Sequence, residues 1–480
     1  MMKMTGKKVL VLGLGESGLA MARWLAWCGA SVTVADTREN PDRLPQFREQ
    51  VAGGVFQGGS FENLVLDGMD MVAVSPGLRP DVELKPIFTW AAQSGVPVVS
   101  EIELFAQALA GLSEERGYQP AVIAVTGTNG KTTTTSLTGH MCRMAGKTVH
   151  LAGNISPAAL DVLLSCIEKD DLPEVWVLEL SSFQLFTTQT LEPDAATVLN
   201  VTQDHLDWHG SMQAYADAKE KVFGQKTVRV LNREDSYVMA MAGNGDKENV
   251  TFGTDAPKKE GEFGLHDVDG MEWLSVGTQD GIKDLLPTSE LKIQGRHNAC
   301  NALAALALCR AIGLPFEPLL RSLREYRGEP HRVELIATVG GIKYIDDSKG
   351  TNVGATLAAV KGLGKVGKKN LLLIAGGLGK GQDFSPLCDA VAATVKAVFL
   401  IGKDAKVIHD ALSVTDVMQI YCDSLEEAVD RATAMADVGD TVLLSPACAS
   451  MDMFRSYAHR SEVFVGQVKA IGAKVEGSVA

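Results

Sequence analysis

The chain has 480 residues, 46% of them hydrophobic and 22% charged, and its 59 acidic side chains outnumber 45 basic ones for a net charge of −14. That length exceeds what one hydrophobic core usually supports, and the composition is that of a soluble multidomain protein rather than of a fibrous or disordered one. The negative balance argues against broad binding to nucleic acid or an anionic membrane, so an anionic substrate would need local cationic clamps. No uninterrupted apolar run reaches the roughly eighteen residues of a membrane span. Met1 to Lys8 is too polar for a signal peptide, and the eight cysteines are scattered, which fits reduced thiols in a cytoplasmic enzyme.

In chain order, strands are predicted near 9–12, 31–35, 69–74 and 96–100, alternating with helical stretches. Such alternation predicts a mainly parallel sheet with helices on its faces. The first strand runs into Gly13-x-Gly15-x-x-Gly18 at the start of an amphipathic helix, and the second ends at Asp36. Glycines there permit a tight turn and close backbone approach, the helix start offers N–H groups to a diphosphate, and an acid could hold a ribose hydroxyl. The loop therefore predicts a nucleotide diphosphate, of which NAD is one reading. SEERGYQP (113–120) is polar, closes on a proline and reads as a linker.

A second block opens with AVIAVTG (121–127) and continues through strand-like VWVLEL (175–180), AATVLNV (195–201) and TVRVLN (227–232). These near-continuous apolar runs suit strands buried on both faces. Between the first strand and its helix stands GTNGKTT (127–133), where backbone N–H groups can cradle phosphates, Lys131 can neutralise them and the Thr132 hydroxyl can ligate Mg²⁺. A full P-loop would carry glycine at 125, where Val125 stands, so this is a shortened variant that points to ATP. Glu179 at one strand end, and Asp204, His205 and Asp207 past another, could join Thr132 in an oxygen-rich magnesium site. His205 and His209 stand four apart as zinc pairs do, but the metalloprotease glutamate is missing and no cysteines converge. Residues 243–290 predict an appended antiparallel element, and RHNACNALAALALCRAIGL (296–314) a helix closing at Gly313. A third α/β block starts near Glu329 and runs through IKYIDDS, NLLLIAGG, AVFLIG, VMQIYC and TVLLSPA.

Taken together, TGTNGKTT, LELSSFQL, NVTQDHLD, GRHNACNALAAL, EPHRVE, DDSKGTN and LLSPACAS follow the order found in the Mur ligases of peptidoglycan synthesis, and the chain resembles that family over essentially its whole length. The pair DDSKGTN and SPACAS resembles the D-glutamate-adding branch more than the other Mur ligases or the folylpolyglutamate synthetases. The resemblance implies three α/β domains: 1–112 for a UDP-sugar, 113–328 for ATP, and 329–480 for D-glutamate and completion of the ATP site. It implies a cytoplasmic, monomeric enzyme that consumes ATP to join D-glutamate to UDP-N-acetylmuramoyl-L-alanine through an acyl phosphate and a tetrahedral intermediate.

Carried over by position, the resemblance assigns Gly127, Thr128, Asn129, Gly130, Lys131, Thr132 and Thr133 to the ATP phosphates, with Asn298, Asn301, Arg332 and Asp347 completing the nucleotide site. Thr132, Glu179 and His205 match the family's positions for two magnesium ions, and Lys219 matches a lysine that is carbamylated there, which requires a neutral amine. Gly15, Ser17 and Gly18 would approach the UDP diphosphate, Asp36, Thr37 and Arg38 the uracil end, and Gly77 the same pocket, with Asn154 and Gln184 gripping the muramoyl part. Lys349, Thr351, Lys380, Ser450 and Tyr457 would bind D-glutamate, Lys349 also serving catalysis. Tyr457 replaces a phenylalanine of some family members, Ser348 and Cys448 read as structural, and Glu16 is a departure, an acid in a loop that should face a diphosphate.

Overall fold

The computed structural model describes residues 3–243, 249–293, 295–365 and 367–477. The chain divides into two compact units, one of residues 1–201, 205–286 and 302–323, the other of 202–204, 287–301 and 324–480.

The first unit holds two sheets. Five parallel strands lie in the order Val55–Gly58, Ser31–Asp36, Lys8–Leu12, Met71–Val74 and Val98–Val99. The order reverses at Lys8–Leu12, so the first glycine loop leaves the sheet at its switch point, where open α/β sheets form ligand crevices. The second sheet has nine strands, with Ala121–Thr126 between Val175–Glu179 and Ala195–Val198. The shortened P-loop follows Ala121–Thr126 directly and leads into helix Lys131–Met144.

Beyond Val228–Asn232 this sheet runs on through Asn249–Phe252 to Glu262–Val268, still parallel, and only then turns antiparallel, with Phe263 opposite Val276 on Met271–Thr278. The expected antiparallel element is thus an edge extension of the central sheet, not a separate appendage; residues 244–248 within the predicted stretch lie outside the described residues. Asp269 and Gly270 both have positive φ (53° and 81°), the requirement of a two-residue hairpin turn.

The stretch read as a linker is helical as far as Arg116: helix Glu101–Arg116 ends at Gly117, with φ 65°. Serine, glutamate and arginine are tolerated in a helix, and polarity alone did not mark its end. Phe105 on this helix meets Trp176 of the second sheet edge to face, ring centroids 5.0 Å apart, and residues from both sheets share one hydrophobic cluster.

The second unit is built on six strands in the order Glu334–Val339, Ile342–Asp346, Thr441–Leu444, Leu371–Gly376, Val395–Ile401 and Met418–Tyr421, the first pair antiparallel and the rest parallel. All eight cysteines are free thiols, and among the described residues no helix is long and apolar enough to cross a membrane.

Candidate active site

The first glycine loop is held by residues behind it. Gly13 (φ 83°) donates its N–H to Ala35 O at 2.7 Å and receives the Ser75 hydroxyl on its carbonyl at 2.9 Å. A Cβ on Gly18 would lie 1.8 Å from Gly13 O, so only glycine lets the helix pack on the strand, whereas a Cβ on Gly15 would meet nothing within 4 Å. Asp36 is 2% exposed. It accepts the Leu14 N–H at 2.6 Å and the Arg38 guanidinium on both oxygens at 2.8 Å. Burial pushes the Asp36 carboxyl up, but the Arg38 and Leu14 hydrogen bonds outweigh it and hold the group below the usual carboxylate range. Its carboxylate therefore orders the loop, while Thr37 and Arg38 are exposed. Glu16 faces sideways: it accepts the Ser156 hydroxyl at 2.6 Å and lies 3.9 Å from the Arg43 guanidinium. Gly77 has φ 101° and open space where its Cβ would stand.

In the second loop, Gly127 (φ 149°) packs so closely that a Cβ would meet Leu199 Cβ at 2.9 Å, and Gly130 (φ 85°) starts the helix. Asn200 braces the loop: its Oδ1 accepts the Asn129 N–H at 2.8 Å, its Nδ2 donates to Asn129 O at 3.0 Å, and its carbonyl accepts the Thr128 N–H at 2.9 Å. Lys131 Nζ folds back onto the carbonyls of Gly127 and Thr128, both at 2.8 Å. Lys219 Nζ reaches the same Gly127 oxygen at 3.0 Å and sits 4.4 Å from the Tyr215 ring centroid, on a side chain 1% exposed.

Glu179 is 2% exposed. One of its oxygens accepts the Asn154 amide at 2.8 Å, while Oε2 is buried without a hydrogen-bond partner. An orphaned carboxylate oxygen at a strand end is the donor a hard cation would take, so Glu179 suits a magnesium ligand. His205 has φ 54°, and its ring stands 4.7 Å from Phe183. His209 is occupied elsewhere, with Nε2 at 2.9 Å from Ser182 Oγ. Burial pulls His209 down to about 4, leaving it a neutral packing residue. Gln184 is 2% exposed, and its carbonyl oxygen caps the start of its own short helix through Ser181.

In the second unit, Asn298 and Asn301 share one helix face and are joined at 3.2 Å. Asp347 accepts the Ser445 hydroxyl at 2.7 Å. Burial pushes Asp347 up to about 7 against that bond and the Arg332 charge. Lys349 Nζ lies 3.7 Å above the Tyr457 ring, Thr351 N–H donates to Lys349 O, Ser450 is buried, and Lys380 is exposed with φ 53°. The sequence reading missed Ser75, Asn200 and Arg460; Ser75 stands two residues before Gly77 and Asn200 opens the motif NVTQDHLD, and those positions were the available signal. Among the described residues one trio, His331, Glu334 and Asp346, brings metal-ligand atoms within 4.8 Å of one another, and its members already bond each other.

Family models match almost end to end: the Mur ligase MurD-like N-terminal domain at 7–100, the Mur ligase middle domain at 125–309, and the Mur ligase glutamate ligase domain at 331–448. The chain belongs to the Mur ligase family. A curated relative from Ralstonia nicotianae, named UDP-N-acetylmuramoylalanine--D-glutamate ligase, is 55% identical to this Mur ligase, covering 97% of both chains. A protein of the same name from Paraburkholderia phymatum is 54% identical over 97% of this chain and 96% of its own. The solved MurF ligase from Thermotoga maritima in complex with ADP shares the Mur ligase fold, with a TM-score of 0.61 over 100% of this chain and 97% of that one at 16% identity.

Proposed function

We propose that this Mur ligase joins D-glutamate to UDP-N-acetylmuramoyl-L-alanine, converting ATP to ADP and phosphate, as a cytoplasmic monomer. The observation that carries this reading is the 55% identity over 97% of the chain to a relative of that name. The two glycine loops support it, one ordered for a diphosphate and one for ATP. The first diphosphate is then that of the UDP-sugar and not of NAD, with domains at 1–112, 113–328 and 329–480.

In the proposed reaction the alanyl carboxylate attacks the γ-phosphorus of ATP, the bond to the bridging oxygen breaks, and ADP leaves. The amine of D-glutamate attacks the resulting acyl phosphate, loses a proton, and the tetrahedral adduct expels phosphate as the amide forms. A carboxylate is a poor electrophile, so phosphorylation supplies the leaving group, and the protein's task is chiefly positioning and charge neutralisation. Lys131 exchanges the Gly127 and Thr128 carbonyls for phosphate oxygens. Gly127 to Thr133 cradle the phosphates, with Asn298, Asn301, Arg332 and Asp347 as further nucleotide residues. Magnesium held by Thr132, Glu179, His205 and carbamylated Lys219 would add charge neutralisation. Gly15, Ser17, Gly18, Thr37, Arg38 and Gly77 meet the UDP part on a loop that Asp36 orders, and Asn154 and Gln184 the muramoyl part. Lys349, Thr351, Lys380, Ser450 and Tyr457 hold D-glutamate.

A panel of amino acids in an ATP-dependent phosphate-release assay tests the substrate. D-glutamate is expected to be preferred; preference for L-glutamate, L-lysine or a diamino acid would sink the assignment.

A further inference from the structure

Arg460, in the first turn of helix Tyr457–Gly477, is a fully buried cation, 0% exposed, that the proposed mechanism leaves unused. Its Nε donates to Ser348 Oγ at 3.0 Å, one terminal nitrogen to Ser348 O at 2.8 Å, and the other to Cys448 O at 3.1 Å. A buried guanidinium is costly unless it is hydrogen-bonded, and here each of its three nitrogens has an acceptor, two carbonyls and a hydroxyl between them. Burial pulls its pKa down to about 10, which leaves it charged near neutrality.

The acceptors belong to the two loops that carry the amino-acid candidates. Ser348 lies between Asp347 and Lys349, and Cys448 two residues before Ser450. Ser348 Oγ in turn donates to Tyr457 O at 2.8 Å, on the same helical turn as Arg460, and the Tyr457 ring supports Lys349 Nζ. The Ser348 N–H donates to Asp346, a buried carboxylate that also receives the Ser461 hydroxyl, again from that turn. One planar fork therefore ties both loops to one turn of helix, a geometry the single ammonium of lysine cannot reproduce.

We propose that Arg460 is the positioning residue of the amino-acid site, fixing the spacing of Lys349 and Ser450 so that they meet the two carboxylates of a dicarboxylic amino acid together. The inference rests on the reading of these loops given above. A dianion with a fixed distance between its charges binds tightly only when its donors are held at matching separation.

The test is the three KM values of Arg460→Met and Arg460→Lys, with folding checked by circular dichroism and Tm. In Arg460→Met, KM for the amino acid should rise about tenfold or more while KM for ATP and for the UDP-substrate stays within about twofold. Arg460→Lys, which restores part of the bonding, should fall between. Should Arg460→Met not fold, the same split in Arg460→Lys decides. An unchanged amino-acid KM in a folded variant, or equal changes in all three constants, would overturn the proposal. If the wild-type enzyme rejects D-glutamate, the substrate reading fails instead, and the split is measured with whichever amino acid the enzyme accepts.

Discussion

Both Asp36 oxygens are engaged, one by Leu14 N–H and both by Arg38, so this acid shapes the first glycine loop from behind. Asp36→Asn weakens these charge-assisted bonds by about 1–2 kcal/mol. The expected outcome is a KM for the UDP-substrate raised about tenfold with KM for ATP unchanged, measured by steady-state kinetics. Spacing in the sequence found this residue but not its direction: whether an acid after a strand faces a ligand or its own loop depends on the donors folded against it. Glu16 is the converse, an acid that looked misplaced until Ser156, from a distant part of the sequence, was seen to take its carboxylate. At Lys219 the structure supplies what a motif lacks, 1% exposure and a carbonyl oxygen shared with Lys131. Lys219→Ala should lose most activity and regain part of it with formate, and wild-type enzyme incubated with ¹³C-bicarbonate should show a carbamate resonance that the variant lacks. Full activity in the untreated variant would show that this lysine is dispensable.

Among the elements, strands buried on both faces, such as Ala121–Thr126 and Leu371–Gly376, were legible as continuous apolar runs. Two of the edge strands were not. Val55–Gly58 is flanked by glycines and has no buried residue, and Glu334–Val339 is likewise half solvated, so neither carries the apolar signal of a central strand. Helix Glu101–Arg116 was shortened in the sequence reading because its last turn is polar. Its first residue carries a stability consequence: Glu101 is 0% exposed, with one oxygen on Leu160 N–H at 2.7 Å and the other without a partner. Burial pushes Glu101 up to about 7, with the negative charges of Asp161 and Glu16 adding to it, against a value of 4.5 when exposed. A raised carboxyl pKa means the folded state holds the proton more tightly, so this stability is present below about 4.5 and is lost as pH rises through about 7, on the order of 3 kcal/mol in all. Glu101→Gln removes that titration. Its Tm relative to wild type should therefore climb between pH 5 and pH 8, and a difference independent of pH would refute the assignment.

For the whole molecule, the excess of acid calls for local clamps for anionic substrates, and in the first unit Lys131 stands beside the second glycine loop, where such a clamp is needed. The fold class and the order of the site motifs were legible because glycines, a lysine and threonines at a strand-to-helix turn obey short-range rules. The braces were not, because Ser75, Asn200 and Arg460 act on backbone atoms of segments far from them in sequence, and no local spacing encodes that. The proposed ligase reaction is decided by phosphate release with UDP-N-acetylmuramoyl-L-alanine, D-glutamate and ATP, omitting each in turn. One phosphate and one ADP per amide formed are expected with all three present, and no sustained release when any one is missing; sustained release without D-glutamate, or none with the complete mixture, would rule out the proposed ligase reaction.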